Sequence, residues 1–221
     1  DLAGKARGLE PPAVILVGGT AGMDLRAGLP LSGACVGLTG TAAFREKFVP
    51  GLGGMGAAVR CLQRSRVRPL CAPEELTQAL DWASGGWLGF TSPNGAAVFF
   101  ALLARAGWDL RGLARFRIAA VGPGTAAELA RHGFRADLIP PRHDTQCLGE
   151  RMARVCGGRR ALLLRAAEAA PGLEAPLLQA GASCRTVPLY ALSTGPVCRA
   201  QVDYAVFGSA GGVREYAAGG G

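Results

Sequence analysis

The chain is poor in the residues on which several common kinds of site depend. Lysine occurs only at Lys5 and Lys47, and aromatic residues make up 6% of the 221 positions. The seven cysteines are odd in number, scattered and without a C-x-x-C pair, which argues against a zinc site or a disulfide framework and favours a reducing, cytoplasmic setting. Apolar runs such as "PPAVILV" are too short to span a membrane, and the first residues lack the pattern of a signal peptide.

Motifs for nucleotide binding and nucleophilic catalysis are also missing. "GPGT" at 122–125 is not followed by the Gly-Lys-Ser/Thr of a Walker loop, and "VGGTAG" does not match G-x-G-x-x-G. No nucleophile elbow occurs. The triplet "RHD" at 142–144 leaves two interpretations open, a catalytic group or a helix cap by Asp144 or Thr145, because a helical pattern follows it directly.

Positive charge is in excess and comes almost wholly from arginine. The formal net charge is +8, which favours anionic partners, although an arginine-rich genome explains the same bias. The arginines are dispersed and not interleaved with aromatics, so the sequence does not predict nucleic-acid binding. A small molecule with several carboxylates is the better candidate.

Strand and helix patterns alternate along the chain and predict an α/β fold with parallel sheets covered on both faces. Strands are predicted at 13–19, 33–40, 57–70, 86–92, 117–122, 136–141, 160–166, 184–192 and 202–209. Helices are predicted at 42–52, 75–83, 95–107, 125–133, 145–157 and 173–181, with one more beginning after 209. In such sheets ligands bind at the turns that follow the strands.

One strand-to-helix turn is written twice. "FTSPNGAAVFF" (90–100) and "FGSAGGVREY" (207–216) align with Ser92 on Ser209 and with an aromatic residue in the helix of each. "VGPGTAAEL" (121–129) has the same general form, with Thr125 either capping the helix or pointing at a ligand. Each turn can hold a carboxylate or a phosphate at a helix N-terminus, and each serine or threonine can instead be a plain helix cap.

Taken together, several ordered segments resemble uroporphyrinogen-III synthase. They are "PLSGACVGLTG", "GMGAAV", "GFTSPNGAAVFF", "IAAVGPGTAAELARHGF", "LLLRAAEAAPGLEAPLLQAGASCRTVPLYAL" and "DYAVFGSAGGVREY". The preceding stretch, within 1–30, resembles the C-terminal end of a uroporphyrinogen-III C-methyltransferase, which implies a fused tetrapyrrole enzyme.

The resemblance implies two α/β domains joined by a two-stranded linker, with the active site in the cleft between them. Residues 31–68 plus 192–221 would form domain 1, and 72–186 would form the inserted domain 2. Arg68–Cys71 and Pro188–Ala191 would be the linker strands. Because the family continues beyond the last residues of this sequence, we expect domain 1 to be incomplete at its C-terminus.

The implied activity is that of a lyase. It cyclises hydroxymethylbilane with inversion of the last pyrrole ring and loss of water, in haem, sirohaem and cobalamin biosynthesis, without a cofactor, metal, nucleic acid or membrane. Tyr190 matches a linker tyrosine proposed to act as an acid, and its alternative is a core tyrosine. The residues implied to bind substrate are Thr39, Thr91, Ser92, Asn94, Gly122, Thr125, Arg165 and Ser209.

Several alternatives stay open beside the enzyme. Arg165 can be a plain surface charge, and the family's usual Thr-Arg pair is Thr39-Gly40 here, with Gly208 where threonine is common. The chain can therefore be a non-catalytic or truncated tetrapyrrole-binding domain of a methyltransferase/synthase fusion. A generic α/β module for a small anion explains the turns but not the ordered series of segments.

Overall fold

The chain forms two compact units, each with its own part of an α/β fold. The computed structural model describes residues 18–169 and 171–218, and the units divide between Gln63 and Arg64 and between Pro196 and Val197. The predicted strand at 13–19 lies almost wholly outside the described residues. The sequence-based limits of domains 1 and 2 stay a prediction.

The first unit is built around two parallel strands. β1 (Cys35–Gly40) pairs with β7 (Tyr204–Phe207), so that Thr39 is in register with Phe207. Helices follow both strands, and the first part of a third strand lies beside β1. The remaining elements are α1 (Ala42–Gly54), α7 (Ala210–Ala218) and β2 (Ala58–Pro69), which passes through the boundary at Gln63.

A small core holds the first unit together. Its buried members are Val36, Leu38 and Ala57, and Phe48 and Val206 pack against them from α1 and β7. Only glycine fits at position 37, because a Cβ there would overlap the side chain of Leu62. The strand therefore approaches Leu62 closely where any larger residue would force that side chain to move.

The second unit contains a mostly parallel sheet in the order β4-β3-β5-β6-β2. The first four strands run parallel, and β2 pairs antiparallel with β6 from Ser65–Thr194 to Pro69–Tyr190. The strands are β3 (Trp87–Phe90), β4 (Arg117–Ala120), β5 (Arg160–Ala166) and β6 (Ser183–Thr194). The helices are α2 (Pro73–Trp82), α3 (Pro93–Arg105), α4 (Pro123–Arg131), α5 (Thr145–Cys156) and α6 (Glu174–Gln179).

Alternate residues of the parallel strands enter two separate cores, one on each face of the sheet. In β5, Leu162 and Leu164 join the larger cluster with α2 and α3, while Ala161 and Leu163 join the cluster of α5 and α6. Burial on both faces explains why these strands read as continuous apolar runs, as predicted for parallel sheets covered on both faces. The prediction of a mostly parallel α/β fold is confirmed.

One predicted strand differs from the structure, and two short helices were not predicted. The strand predicted at 136–141 is reduced to one bridge between Leu138 and Ala119, since Pro140 and Pro141 cannot donate the hydrogen bonds that would extend it. The segment Leu110–Arg115 forms a 3-10 helix that the sequence pattern did not indicate. A second 3-10 helix occupies Gly19–Gly22.

Arg165 is buried in the second unit beside a carboxylate. Its exposed fraction is 5%, so the interpretation as a surface charge is wrong. Arg165 Nη1 donates to Glu174 Oε1 at 2.9 Å, and Thr186 Oγ1 donates to the same oxygen at 2.8 Å. Burial raises the pKa of Glu174, but hydrogen bonds, that from Thr186 foremost, and the charge of Arg165 outweigh it and hold the pKa below its usual range.

Replacing Glu174 should make the free energy of unfolding less dependent on pH in the acidic range. We expect Glu174→Gln to lower the free energy of unfolding at pH 7 by about 1–3 kcal/mol, because Arg165 loses a charged acceptor. A carboxyl whose pKa is depressed in the folded state stabilises above its unfolded pKa of about 4.3, and this contribution disappears as the pH falls through the folded pKa. The difference between wild type and variant should shrink below about pH 4.

Urea unfolding from pH 3 to pH 8 measures this difference. Glu168→Gln is the matched control, since Glu168 is exposed and should change stability by less than about 0.5 kcal/mol. A Glu174→Gln deficit that stays constant down to pH 3 would show that the depressed pKa does not contribute.

Candidate functional site

The repeated strand-to-helix turn carries the same hydrogen bond in both units. Ser92 Oγ accepts from the Gly95 N–H at 3.0 Å at the start of α3, and Ser209 Oγ accepts from the Gly212 N–H at 3.1 Å at the start of α7. Each serine thus satisfies one of the unpaired amides of its helix. The capping interpretation of both serines is confirmed.

An aromatic pair accompanies each of these turns. Phe90, the last residue of β3, packs edge-on against Phe99 of α3, with ring centroids 5.1 Å apart and planes at 84°. Phe207, the last residue of β7, packs in the same way against Tyr216 of α7, at 5.4 Å and 71°. This geometry is favourable for aromatic rings, and it fixes how each helix leaves the end of its strand.

Two helix N-termini lie side by side in the second unit. Val121, just before α4, donates its N–H to the carbonyl of Phe90 at 2.9 Å, and a Cβ on Gly124 would lie 3.7 Å from Pro93 Cγ. Both helices begin with proline, Pro93 in α3 and Pro123 in α4, where the missing N–H costs nothing. The neighbouring N-termini concentrate free N–H groups and partial positive charge at one place.

Gly122, not Thr125, is the N-cap of α4. Thr125 is the third residue of the helix and is 2% exposed, so of its two interpretations the one as a helix cap is wrong. Pro123 starts the helix, which leaves the cap position to Gly122. A Cβ on Gly122 would lie 3.1 Å from Cβ and Cγ of His143, so glycine makes room for that side chain.

The triplet Arg142–Asp144 serves the start of α5. Asp144 Oδ1 accepts from the Cys147 N–H at 2.7 Å, which confirms the predicted cap by Asp144. His143 packs on Gly122, a contact that sequence reasoning missed. No local signal could have found it, because more than twenty positions separate the two residues and only the fold brings them together.

A hydrogen bond joins Tyr190 and Ser92 in the second unit. The Tyr190 hydroxyl lies 2.8 Å from Ser92 Oγ, and either atom can be the donor. Tyr190 is 4% exposed and belongs to the larger core cluster, while Ser92 is only partly buried. The contact joins β6 to the N-terminus of α3. Tyr190 is thus a core tyrosine whose polar end reaches a predicted site residue.

A β-bulge in β6 sets the direction of Tyr190. Arg165 of β5 is in register with Pro188, but the next residue, Ala166, is in register with Tyr190, so Leu189 is extra. Leu189 and Tyr190 are consecutive and both buried, which a regular strand with one solvent face does not allow. Bulges re-aim side chains in this way, and Pro188 favours one because it cannot donate to the ladder.

The other predicted residues of this unit lie around Ser92. Thr91 links β3 to α3, Asn94 is the second residue of α3, and both are partly buried. Arg165 lies one residue after Leu164, whose carbonyl oxygen would be 3.6 Å from a Cβ on Gly95. The second unit therefore brings the end of β5, the start of α3 and Tyr190 together.

The first unit presents Thr39 beside the start of α7. Thr39 is 1% exposed, and its Oγ1 has no hydrogen-bond partner among the described residues. A Cβ on Gly212 would lie 3.6 Å from that oxygen and 3.5 Å from Ser209 Oγ. A buried hydroxyl without a partner is costly, so Thr39 is an unsatisfied polar position within the described part of the first unit.

The side chain of an arginine in α1 reaches the end of β1. Gly40 has a φ of +133°, a conformation that favours glycine over arginine. Arg45, in the first turns of α1, donates from Nη1 to the Gly40 carbonyl at 2.7 Å. The guanidinium group that the resemblance expects after Thr39 is thus present at this turn from a different position in the chain.

Within residues 18–169 and 171–218, no three metal-ligating side chains cluster in a way that could hold an ion. In the same ranges no helix is long and apolar enough to cross a bilayer.

Burial raises the pKa of the Cys71 thiol to about 11, with Glu75 nearby adding to the effect, and burial likewise raises the pKa of Cys156 to about 11. Neither thiol is therefore activated as a nucleophile.

Comparison with solved structures shows where this fold occurs. The chain is similar to a crystal structure of a mutant uroporphyrinogen III synthase from the extremely thermophilic bacterium Thermus thermophilus, with a TM-score of 0.57, 20% identity and coverage of 83% of this chain and 77% of that one. A crystal structure of the wild-type protein from the same organism gives a TM-score of 0.51 at 20% identity, covering 84% and 76%.

Comparison of sequences gives the family. A curated relative, the porphyrin biosynthesis protein HemD of Ruminiclostridium josui, is 29% identical over 188 residues. The match covers 82% of this chain but 37% of the relative, so the chain spans well under half of that protein's length. The family model described as uroporphyrinogen-III synthase HemD matches residues 48–219. The chain belongs to the uroporphyrinogen-III synthase (HemD) family.

Proposed function

We propose that the protein is a uroporphyrinogen-III synthase, a lyase of tetrapyrrole biosynthesis. It would convert hydroxymethylbilane to the macrocycle with inversion of the last pyrrole ring and loss of water. The family membership supports the proposal, and the single observation that carries it is the hydrogen bond between Tyr190 and Ser92 at the N-terminus of α3. That bond brings a phenol to a helix end suited to a substrate carboxylate.

Binding and positioning of the substrate fall to the helix N-termini. Acetate and propionate groups of the substrate are carboxylates, and the free N–H groups at the starts of α3 and α4 can donate to them. Ser92, Asn94, Gly122 and Thr125 stand at these turns. Holding the two ends of the linear substrate in one geometry favours one ring closure over another. This control is the main requirement of the reaction, because the substrate cyclises spontaneously to a different isomer.

A proton is available at the Tyr190–Ser92 pair. Ser92 Oγ already accepts from the Gly95 N–H. If Tyr190 also donates to Ser92, the serine proton is uncommitted; if Ser92 donates to Tyr190, the phenol proton is uncommitted. In both arrangements one O–H of the pair can donate to the departing hydroxyl group, which leaves as water once it is protonated.

In the first unit, Thr39 and Ser209 are proposed to bind a further carboxylate. The support is the buried Oγ1 of Thr39 without a described partner and the start of α7 beside it. Arg45 would add its positive charge at the same turn. Arg165 is proposed to add positive charge to the substrate site of the second unit. Glu174 accepts a hydrogen bond from its guanidinium group and is itself held by Thr186.

Several finer expectations belong to the same proposal. The active site between two domains, the two-stranded linker and a cytoplasmic location rest on the sequence analysis alone. A fused C-methyltransferase is supported by the resemblance within residues 1–30 and by the greater length of the curated relative. A tetrapyrrole-binding domain without activity is the second candidate, favoured by the position of Tyr190 inside the core cluster.

The proposal is tested by the isomer that forms. Hydroxymethylbilane is generated in situ, this chain is added, and the products are oxidised and separated by chromatography. An excess of the type III isomer over the control without protein is expected. Type I alone, from a sample whose circular dichroism and unfolding transition show that it is folded, would support the binding domain instead.

Removing the phenol should slow turnover without unfolding the protein. Tyr190→Phe keeps the ring in the core and removes only the oxygen bonded to Ser92. We expect the rate of type III formation to fall at least about tenfold, as for loss of a general acid, and the free energy of unfolding to fall by only about 0.5–1.5 kcal/mol, as for loss of one hydrogen bond.

Tyr204→Phe is the matched control, because Tyr204 is 60% exposed. It should leave both the rate and the stability unchanged. Full turnover of Tyr190→Phe would mean that Tyr190 is a packing residue and that the acid is another group.

Thr39→Val should separate binding from stability in the first unit. The valine has nearly the same shape and removes a buried hydroxyl that has no described partner, so the ligand-free protein should be equally stable or more stable. The KM for hydroxymethylbilane should rise several-fold. Calorimetry and initial rates measure the two effects, with Thr194→Val, an exposed position, as control. A clear loss of stability would show that the hydroxyl serves the fold.

A further inference from the structure

Three arginines form a row on one face of β2 in the second unit. Arg64, Arg66 and Arg68 alternate with Ser65 and Val67, and the arginines are exposed while the two residues between them are partly buried. Val67 packs against the larger core cluster, so the arginines face away from it. Alternate residues of a strand are about 6.8 Å apart, which gives a regular row of positive charge, here called the arginine row.

The residues of β6 that lie beside the arginine row are small and leave the guanidinium groups uncovered. Arg66 is in register with Ser193 of β6, and Arg68 is in register with Ala191. Arg64 lies next to Gly195, whose N–H donates to the Arg64 carbonyl at 2.8 Å. These small neighbours do not cover the guanidinium groups, so a ligand can approach them along the two strands.

No carboxylate among the described residues neutralises the row. In the part of the chain that the structure describes, every ion pair is formed by other residues, and none of the three arginine side chains has a hydrogen-bond partner. Like charges held side by side repel each other. A row of this kind gains nothing for the folded chain by itself, and an anion with several charges relieves the repulsion.

We propose that the arginine row binds the peripheral carboxylates of a linear tetrapyrrole and captures this substrate class from solution. The inference rests on the proposed function, which supplies a ligand with carboxylates at repeated intervals along one chain. Guanidinium groups pair well with carboxylates. A row of three matches such a ligand better than it matches a single small anion, because one carboxylate can contact only one or two of the arginines.

A nucleic acid is the competing partner, and the surroundings of the row argue against it. Proteins that bind single strands combine positive charge with aromatic side chains on which bases stack. On that face the neighbouring strand offers Ala191, Ser193 and Gly195, and residues 64–68 and 191–195 include no aromatic ring. The charge repeat alone does not distinguish phosphates from carboxylates, so an oligonucleotide is included in the test.

The test compares three variants of the whole chain. R64Q/R66Q/R68Q removes the row, and R64K/R66K/R68K keeps its charge. R105Q/R151Q/R154Q removes three exposed helical arginines that lie outside the proposed site and form no ion pair with described residues. Uroporphyrin I, a stable polycarboxylate tetrapyrrole, is the binding probe, followed by quenching of tryptophan fluorescence at several salt concentrations. KM, kcat and the melting temperature without ligand are measured in parallel.

We expect the glutamine row variant to bind uroporphyrin I about tenfold more weakly than the control triple variant, with a shallower salt dependence. KM should rise by a similar factor while kcat stays within twofold, because the row acts on capture and not on the chemical step. The lysine row variant should keep most of the affinity. The melting temperature without ligand should stay the same or rise, since a repulsive set of charges is removed.

Two outcomes would overturn the inference. One is a glutamine row variant with the same affinity and KM as the control variant. The other is an oligonucleotide that binds the wild type through the row and displaces the porphyrin. A different result separates the two proposals: the wild type forms no type III isomer but binds uroporphyrin I, and the glutamine row variant loses this binding while the control variant keeps it. The proposed function then fails, and the arginine row remains a polycarboxylate-binding face. The two failures are therefore distinguishable.

Discussion

The structure depends on how each helix starts after a parallel strand. A helix leaves its first amides unpaired, and here a serine takes one of them at two turns with nearly equal geometry, 3.0 Å at Ser92 and 3.1 Å at Ser209. The aromatic pair behind each turn fixes the strand against the helix. Capping uses one amide and leaves the others directed outward, so the same device that starts the helix also leaves donors for an anion.

The polar contacts around these turns show how a site and a core share residues. Tyr190 is packed among apolar side chains, yet the bulge at Leu189 turns its hydroxyl toward Ser92. Arg165 is buried and balanced by Glu174, with Thr186 completing the hydrogen bonds of the carboxylate. Removing one partner of such a set leaves a buried charge poorly satisfied. Stability and positioning of polar groups are therefore coupled in the second unit.

Local sequence patterns predicted the elements well and their contacts poorly. The caps at Ser92, Ser209 and Asp144 could be predicted because capping involves residues three positions apart. The partners Glu174 for Arg165, His143 for Gly122 and Ser92 for Tyr190 could not, since only the fold brings such residues together. The arginine row was missed although the sequence carries its signal: Arg64, Arg66 and Arg68 alternate within a strand that the sequence predicts, and this alternation places them on one face.

The chemistry that the chain offers consists of donors and positive charge. Under the proposed function, backbone amides at helix starts, the one uncommitted O–H of the Tyr190–Ser92 pair and several arginines would bind and orient carboxylates. The buried thiols at Cys71 and Cys156 stay protonated at neutral pH because their pKa is raised. Groups of this kind lower a barrier by holding reacting atoms in place and by donating a proton to a leaving group. A cyclisation needs little more, because its substrate already contains both the nucleophile and the leaving group. A site built mainly from amides also needs only small residues at the turns, which Gly95, Gly122 and Gly212 supply.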